Sequence, residues 1–133
     1  ILSLPSRVKV GILTGRTVTE TRLAMKQIGL EISESNWVTE DDGVRKPDGR
    51  ALLALREKME FNFGVYVGDT MDDLNVVKNY RETKGSGRAG VVSCMSLSGP
   101  SGEADRRLFL EAGAEIAAPD INMFLQYLNA VLK

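Results

Sequence analysis

The chain has no histidine among its 133 residues. That absence excludes the Ser-His-Asp and Cys-His arrangements of nucleophilic catalysis, and every zinc site built on imidazole. Proton transfer and metal binding are left to carboxylates and lysine, and carboxylate oxygens favour hard ions such as magnesium. There is 1 cysteine, Cys94. No disulfide can close within the chain, and the composition suits a reducing, cytoplasmic compartment. No apolar run reaches the roughly 18 residues that a membrane-spanning helix needs. The opening Ile1-Leu2-Ser3-Leu4-Pro5 lacks the basic region and long apolar core of a secretory leader. Residue 1 is not Met, so the chain is expected to begin inside a longer one. Excess charge is also missing. The 17 basic and 18 acidic residues leave a net charge of -1, which calls for neither nucleic acid nor a membrane surface as a partner.

What is present is ordinary for a globular protein: 43% apolar and 26% charged residues. The length fits one domain, spanning 1–133, that can bury a core. Strand-like and helix-like stretches alternate. The apolar, β-branched run at 8–13 predicts a buried strand. Thr17 and Glu20 have capping-box spacing for a helix that ends at Gly29. A short strand follows at 37–39, and Asp48 is a good N-cap for a helix through 59 carrying Leu52, Leu53 and Leu55. A strand at 64–67 precedes a helix at 71–80 with Leu74, Val76 and Val77 inward. A strand at 89–93, a helix at 103–112 and a short strand at 115–117 lead to a closing helix capped by Asp120. That helix carries Ile121, Phe124, Leu125, Leu128 and Val131. This alternation predicts an α/β fold: a Rossmann-like, three-layer parallel sheet with helices on both faces. Ligands of such sheets sit beyond the carboxyl ends of the strands. Loops are expected at 82–88 and 98–102. No internal repeat is visible.

Two letter patterns mislead. Gly85-x-Gly87-x-x-Gly90 matches a dinucleotide fingerprint, but it follows a helix and opens a strand, the reverse of the required context. Glu40-Asp41-Asp42-Gly43 resembles a nucleophile loop but leads into Lys46-Pro47 rather than a helix. It reads as a solvated acidic turn.

Three segments carry the chemistry: Leu13-Thr14-Gly15-Arg16, Arg45-Lys46-Pro47-Asp48 and Gly68-Asp69-Thr70-Met71-Asp72-Asp73. Each stands between an apolar stretch and a helix, so all should meet at one sheet edge. Thr14 offers a hydroxyl there, and the N–H groups of Gly15 and Arg16 open the next helix, as an anion site requires. A cap for the turn is an equally good account of Thr14. Lys46 can pair with a phosphate, although a lone lysine is more often a surface residue. Asp69 follows a strand directly, and Asp73 stands one helical turn later on the same face. Two carboxylates that close repel unless a cation lies between them. An acidic helix N-terminus explains Asp72 as well.

In order and spacing these segments resemble the haloacid-dehalogenase (HAD) superfamily of phosphatases and related hydrolases. Thr14 is similar to that family's second motif, Lys46 to its third, and Asp69 with Asp73 to its fourth. The likeness spans 8–92. It implies a HAD-like core and a magnesium-dependent phosphatase that hydrolyses a small phosphorylated metabolite through an aspartyl-phosphate. Thr14 and Lys46 would assist catalysis, and Thr14, Gly15, Arg16 and Lys46 would bind phosphate. Asp69 and Asp73 would bind the metal. The family's Asp-x-Asp nucleophile, carried on a central first strand, has no counterpart in these residues, and neither has its inserted cap. The resemblance therefore implies the C-terminal part of a longer phosphatase, inactive alone. Its open sheet would pair with an N-terminal segment or with another chain. A non-catalytic phosphate- and magnesium-binding module, or a plain α/β interaction domain, remains open as an alternative.

Overall fold

The computed structural model describes residues 4–87, 90–99 and 101–132. Ile1 to Ser3 of the opening segment, Arg88 and Pro100 of the expected loops, and Ala89 at an expected strand start lie outside the described residues. The fold is α/β, with parallel strands flanked by helices. In chain order the elements are β1 (Ile12–Leu13), α1 (Val18–Ile28), β2 (Trp37–Val38), α2 (Gly49–Met59) and β3 (Phe63–Gly68). They continue with α3 (Met71–Glu82), β4 (Gly90–Ser96), α4 (Asp105–Glu111), β5 (Ile116–Ala118) and α5 (Ile121–Leu132).

Local chemistry sets the helix ends. Thr17 and Glu20 form the expected reciprocal capping box at α1, and Gly29 closes that helix at φ 68°. The Asp48 carboxylate accepts from the Arg50 N–H to start α2. Thr70 and Asp73 form a second capping box at α3. The expected helix at 103–112 is divided. Gly102–Ala104 is a 3₁₀ turn, and the α-helix proper begins at Asp105.

The strands form two parallel sheets instead of the expected one: β1–β2, and β3–β4–β5. Among the described residues no ladder joins β1 to β3. The run at 8–13 is correspondingly shorter as a strand than its composition predicts. Only Ile12 and Leu13 find ladder partners, opposite Trp37 and Val38, because a strand extends no further than its neighbour does.

The three-stranded sheet is covered on both faces, and the period-2 alternation of its side chains decides which residue meets which helix. Tyr66 and Val91 turn toward α2 and α3, in a core with Leu52, Leu55, Val76, Val77 and Tyr80. Val65, Val67 and Cys94 turn the other way, toward Phe124, Leu125 and Leu128 of α5. Met95 and Leu97 pack with Leu74 and Phe109, which seats α4. All three α3 residues predicted to face inward are fully buried. In α5 the prediction is only partly met, since Ile121 and Val131 are exposed.

At the far end of the sheet Glu115 fastens β5 to β4. Its carboxylate accepts from the Ser93 N–H at 2.8 Å, and also from the Ser93 hydroxyl and the Arg81 guanidinium. Burial pushes the Glu115 carboxyl up, but the Ser93 donors and Arg81 outweigh it and hold it down at about 2.

α2 and α3 approach closely because Gly49 has no side chain. A Cβ there would lie 2.3 Å from the Thr83 hydroxyl and 2.5 Å from the Asn79–Tyr80 backbone. Backbone cannot move aside as a flexible side chain can. Gly49→Ala should therefore destabilise the fold by about 1–3 kcal/mol, the usual cost of overpacking. The urea midpoint should fall while the slope of the transition stays unchanged. A midpoint equal to the parent would remove this contact from the account.

Candidate functional site

The three chemistry-bearing segments converge at the carboxyl ends of β1 and β3. A cleft of about 260 Å³ is lined there by Gly15, Arg45, Lys46, Thr70 and Asp72. Lys46 reaches it from the segment between β2 and α2, through a cis peptide to Pro47. Thr70 and Asp72 reach it from the turn and first helical turn after β3.

Asp73 organises this region. One carboxylate oxygen accepts from the Lys46 ammonium at 2.7 Å and from the Tyr66 hydroxyl at 3.0 Å. The other accepts from the Asp69 N–H at 3.0 Å, the Thr70 N–H at 3.1 Å and the Thr70 hydroxyl at 3.0 Å. The residue is 4% exposed. Burial pushes its carboxyl up, but Lys46 and the two N–H groups more than offset this and hold it below the usual carboxylate range. The same burial, with the Asp73 charge beside it, pushes the Tyr66 phenol up, so Tyr66 donates and does not ionise.

Gly68 permits the arrangement. A Cβ on it would lie 2.3 Å from the Asp73 Cβ and Cγ. The close approach that a glycine predicts at this place is made by the protein's own carboxylate.

The predicted phosphate-binding residues are only partly gathered. Gly15 and Lys46 share the cleft. The Gly15 N–H has no acceptor among the described residues. The Thr14 hydroxyl accepts from the Arg16 N–H at 3.2 Å, so that N–H serves the turn instead of opening onto solvent. A hydroxyl that accepts still has its own proton to donate. The Arg16 side chain is exposed. The start of α1 is already occupied: the Val18 N–H donates to the Asp41 carboxylate at 2.8 Å.

The acidic turn at 40–42 therefore does more than face solvent. Asp41 caps α1. Asp42 accepts from the Thr39 N–H at 2.7 Å and the Lys58 ammonium at 3.0 Å. Glu40 pairs with Arg45. Only the Thr39–Asp42 capping box is marked by local spacing; the other partners come from another element or the next loop. Tyr66 was likewise missed. Its signal is the one side-chain hydroxyl in β3.

Magnesium fits these residues incompletely. Asp69 is exposed and open to a cation, but both Asp73 oxygens are engaged by five donor contacts. Among the described residues no group of three or more acidic or cysteine side chains is placed to hold a metal. Asp69 alone is a weak magnesium site, since the ion prefers octahedral oxygen coordination. Comparison of the chain with protein families, with characterised proteins and with solved structures finds no match.

The Asp73 cluster makes a testable contribution to stability. Asp73→Ala should cost about 3–5 kcal/mol, the range for stripping one partner from a buried ion pair. The carboxyl is held low in the folded state, so its stabilisation is present above the unfolded pKa. It is lost as pH falls through the folded one. Stability should therefore decline on acidification below about pH 4, and Asp73→Asn should flatten that decline while lowering stability at neutral pH. Urea titrations across this range measure both effects. Identical acid slopes in the parent and the Asn variant would contradict the account.

Proposed function

We propose that the chain is the phosphate-binding part of a HAD-type phosphatase, which in the intact protein hydrolyses a phosphate monoester of a small metabolite. The observation that carries this reading is the Lys46–Asp73 pair. It stands at the carboxyl ends of β1 and β3, strands of separate sheets that share no ladder among the described residues.

In this reading each group has a physical task. Asp73 holds Lys46 by one N–H and leaves its remaining donors for oxygens of a phosphoryl group. The free Gly15 N–H adds a donor of fixed direction, and the hydroxyl of the adjacent Thr14, whose proton rotates, would add a second. Such preorganised donors stabilise negative charge where it develops during transfer. A bound magnesium ion would supply further neutralisation, with Asp69 as the ligand on this chain and Asp73 acting through Lys46.

Covalent transfer needs an attacking carboxylate in line with phosphorus. Glu40, Asp41, Asp42 and Asp73 are engaged with structural partners. Among the described residues Asp69 and Asp72 carry no such partner, but neither stands where the resembled family places its nucleophile; the reading assigns that group to a strand that would lie between β1 and β3, supplied by another part of the intact protein or by another chain. An unpaired strand edge is a ready template for such an addition. A second reading, a phosphate-binding module without turnover, draws support from the engaged oxygens of Asp73 and the lone free Asp69.

Calorimetric titration with inorganic phosphate tests the common part of both readings. Lys46→Ala should weaken binding by about 1.5–3 kcal/mol, as expected for a charge-assisted contact. Unchanged affinity would remove Lys46 from the site. In the intact protein Asp69→Asn should abolish the magnesium dependence of phosphate binding. The two readings separate on turnover of an aryl phosphate with magnesium. The chain alone should show none, and only the phosphatase reading predicts it in the intact protein.

A further inference from the structure

A second cleft, of about 270 Å³, opens on the other side of the β3–α3 turn and is lined by Val67, Gly68, Asp69, Ser96, Ser98 and Ile121. Asp69 belongs to this cleft and Thr70 to the first, so the two are lined by adjacent residues. Each alone falls below the roughly 300 Å³ at which ligand pockets begin, while the pair together lies within the usual range.

The two halves differ in chemistry. The first presents two cations, Lys46 and Arg45, beside the Asp72 carboxylate. The second has no cationic residue in its lining. Its polar groups are the Asp69 carboxylate and two serine hydroxyls, whose oxygens lie 2.7 Å apart. Ser96 is buried and Ser98 is exposed at the mouth. The Ser98 N–H donates to the Ser96 oxygen at 3.4 Å, which draws the chain back over the end of β4. Gly99 then passes close to Asp69. A Cβ there would meet the Asp69 carbonyl oxygen at 3.5 Å. Val67 and Ile121 supply apolar surface beside the hydroxyls.

Each hydroxyl both donates and accepts, and so suits another hydroxyl. Without magnesium, an anionic group would meet the Asp69 carboxylate with no cationic side chain in the lining to offset it. Apolar side chains beside hydroxyls suit a carbon skeleton with polar edges. We infer that the second cleft receives the organic part of the phosphate ester, and that this part is a neutral, polyhydroxylated group of the sugar or polyol class. The inference rests on the reading of the Lys46 cleft as the phosphate site.

Titration of the chain in magnesium-free buffer with three probes tests it: inorganic phosphate, ribose 5-phosphate and 3-phosphoglycerate. Ribose 5-phosphate should bind about tenfold more tightly than inorganic phosphate, as one or two added hydrogen bonds allow. The carboxylate-bearing 3-phosphoglycerate should gain nothing. Ser98→Leu, which fills the mouth at an exposed position, should erase the advantage of the sugar ester and leave inorganic phosphate binding unchanged. Ser98→Ala, which removes one hydroxyl without adding bulk, should give an intermediate loss. If the parent binds phosphate but ribose 5-phosphate gains nothing, the inference fails and the phosphate site stands. It fails equally if 3-phosphoglycerate binds best, or if the sugar advantage survives in both Ser98 variants. If inorganic phosphate does not bind the parent at all, the phosphate reading fails and this inference fails with it.

Discussion

The Asp73 carboxylate is the constraint on which the local architecture depends. A buried charge must be neutralised and its lone pairs filled, or it costs several kcal/mol. Here the requirement is met by Lys46, Tyr66 and the Asp69–Thr70 turn together. Satisfying one residue therefore fixes a strand, the turn after it, the first turn of a helix and a distant connection. Gly68 completes the set by leaving room. Lys46 lies in the connection that leaves the β1–β2 sheet, so the pair links that sheet's continuation to the end of β3 without any strand ladder between them.

Much of the fold was legible because its determinants are local. The capping box at Thr17, the Asp48 cap and the Gly29 stop each act within four residues, and each helix starts or ends where they stand. The inward positions of α3 follow from helical periodicity alone. What was not legible depends on partners far along the chain. The length of β1 is set by β2, not by the apolar run at 8–13. The uses of Glu40, Asp41 and Asp42 are set by Arg45, the start of α1 and Lys58.

The candidate site shows the same division. The order of the three segments brings Gly15, Lys46 and the β3–α3 turn to one cleft, though between two sheets and not at the edge of one. It does not separate Asp69 from Asp73. Four residues apart on a helix is a shared face, but Asp69 lies in the turn before α3 and its side chain is exposed. Asp73 is the third residue of α3, where capping geometry turns its carboxylate back toward the turn. Equivalent letters thus acquire unequal electrostatics: one carboxylate is filled by donors and the other is open.

That inequality bears on how the cleft treats an anion. A free lysine side chain samples many rotamers, and fixing it on a ligand costs binding free energy. Asp73 already holds the Lys46 ammonium at 2.7 Å, so that cost falls on folding and not on binding. The carboxylate also reduces the net attraction of the ammonium for a second anion, an effect that opposes the first. The balance depends on geometry. The Asp73 oxygens are themselves drawn back by Tyr66 and by the turn N–H groups, which spread part of their charge away from the cleft. In the proposed phosphate site, an anion would find the Lys46 ammonium already held in place. The five contacts on Asp73 convert a mobile cation into a fixed donor and moderate the negative charge that fixes it.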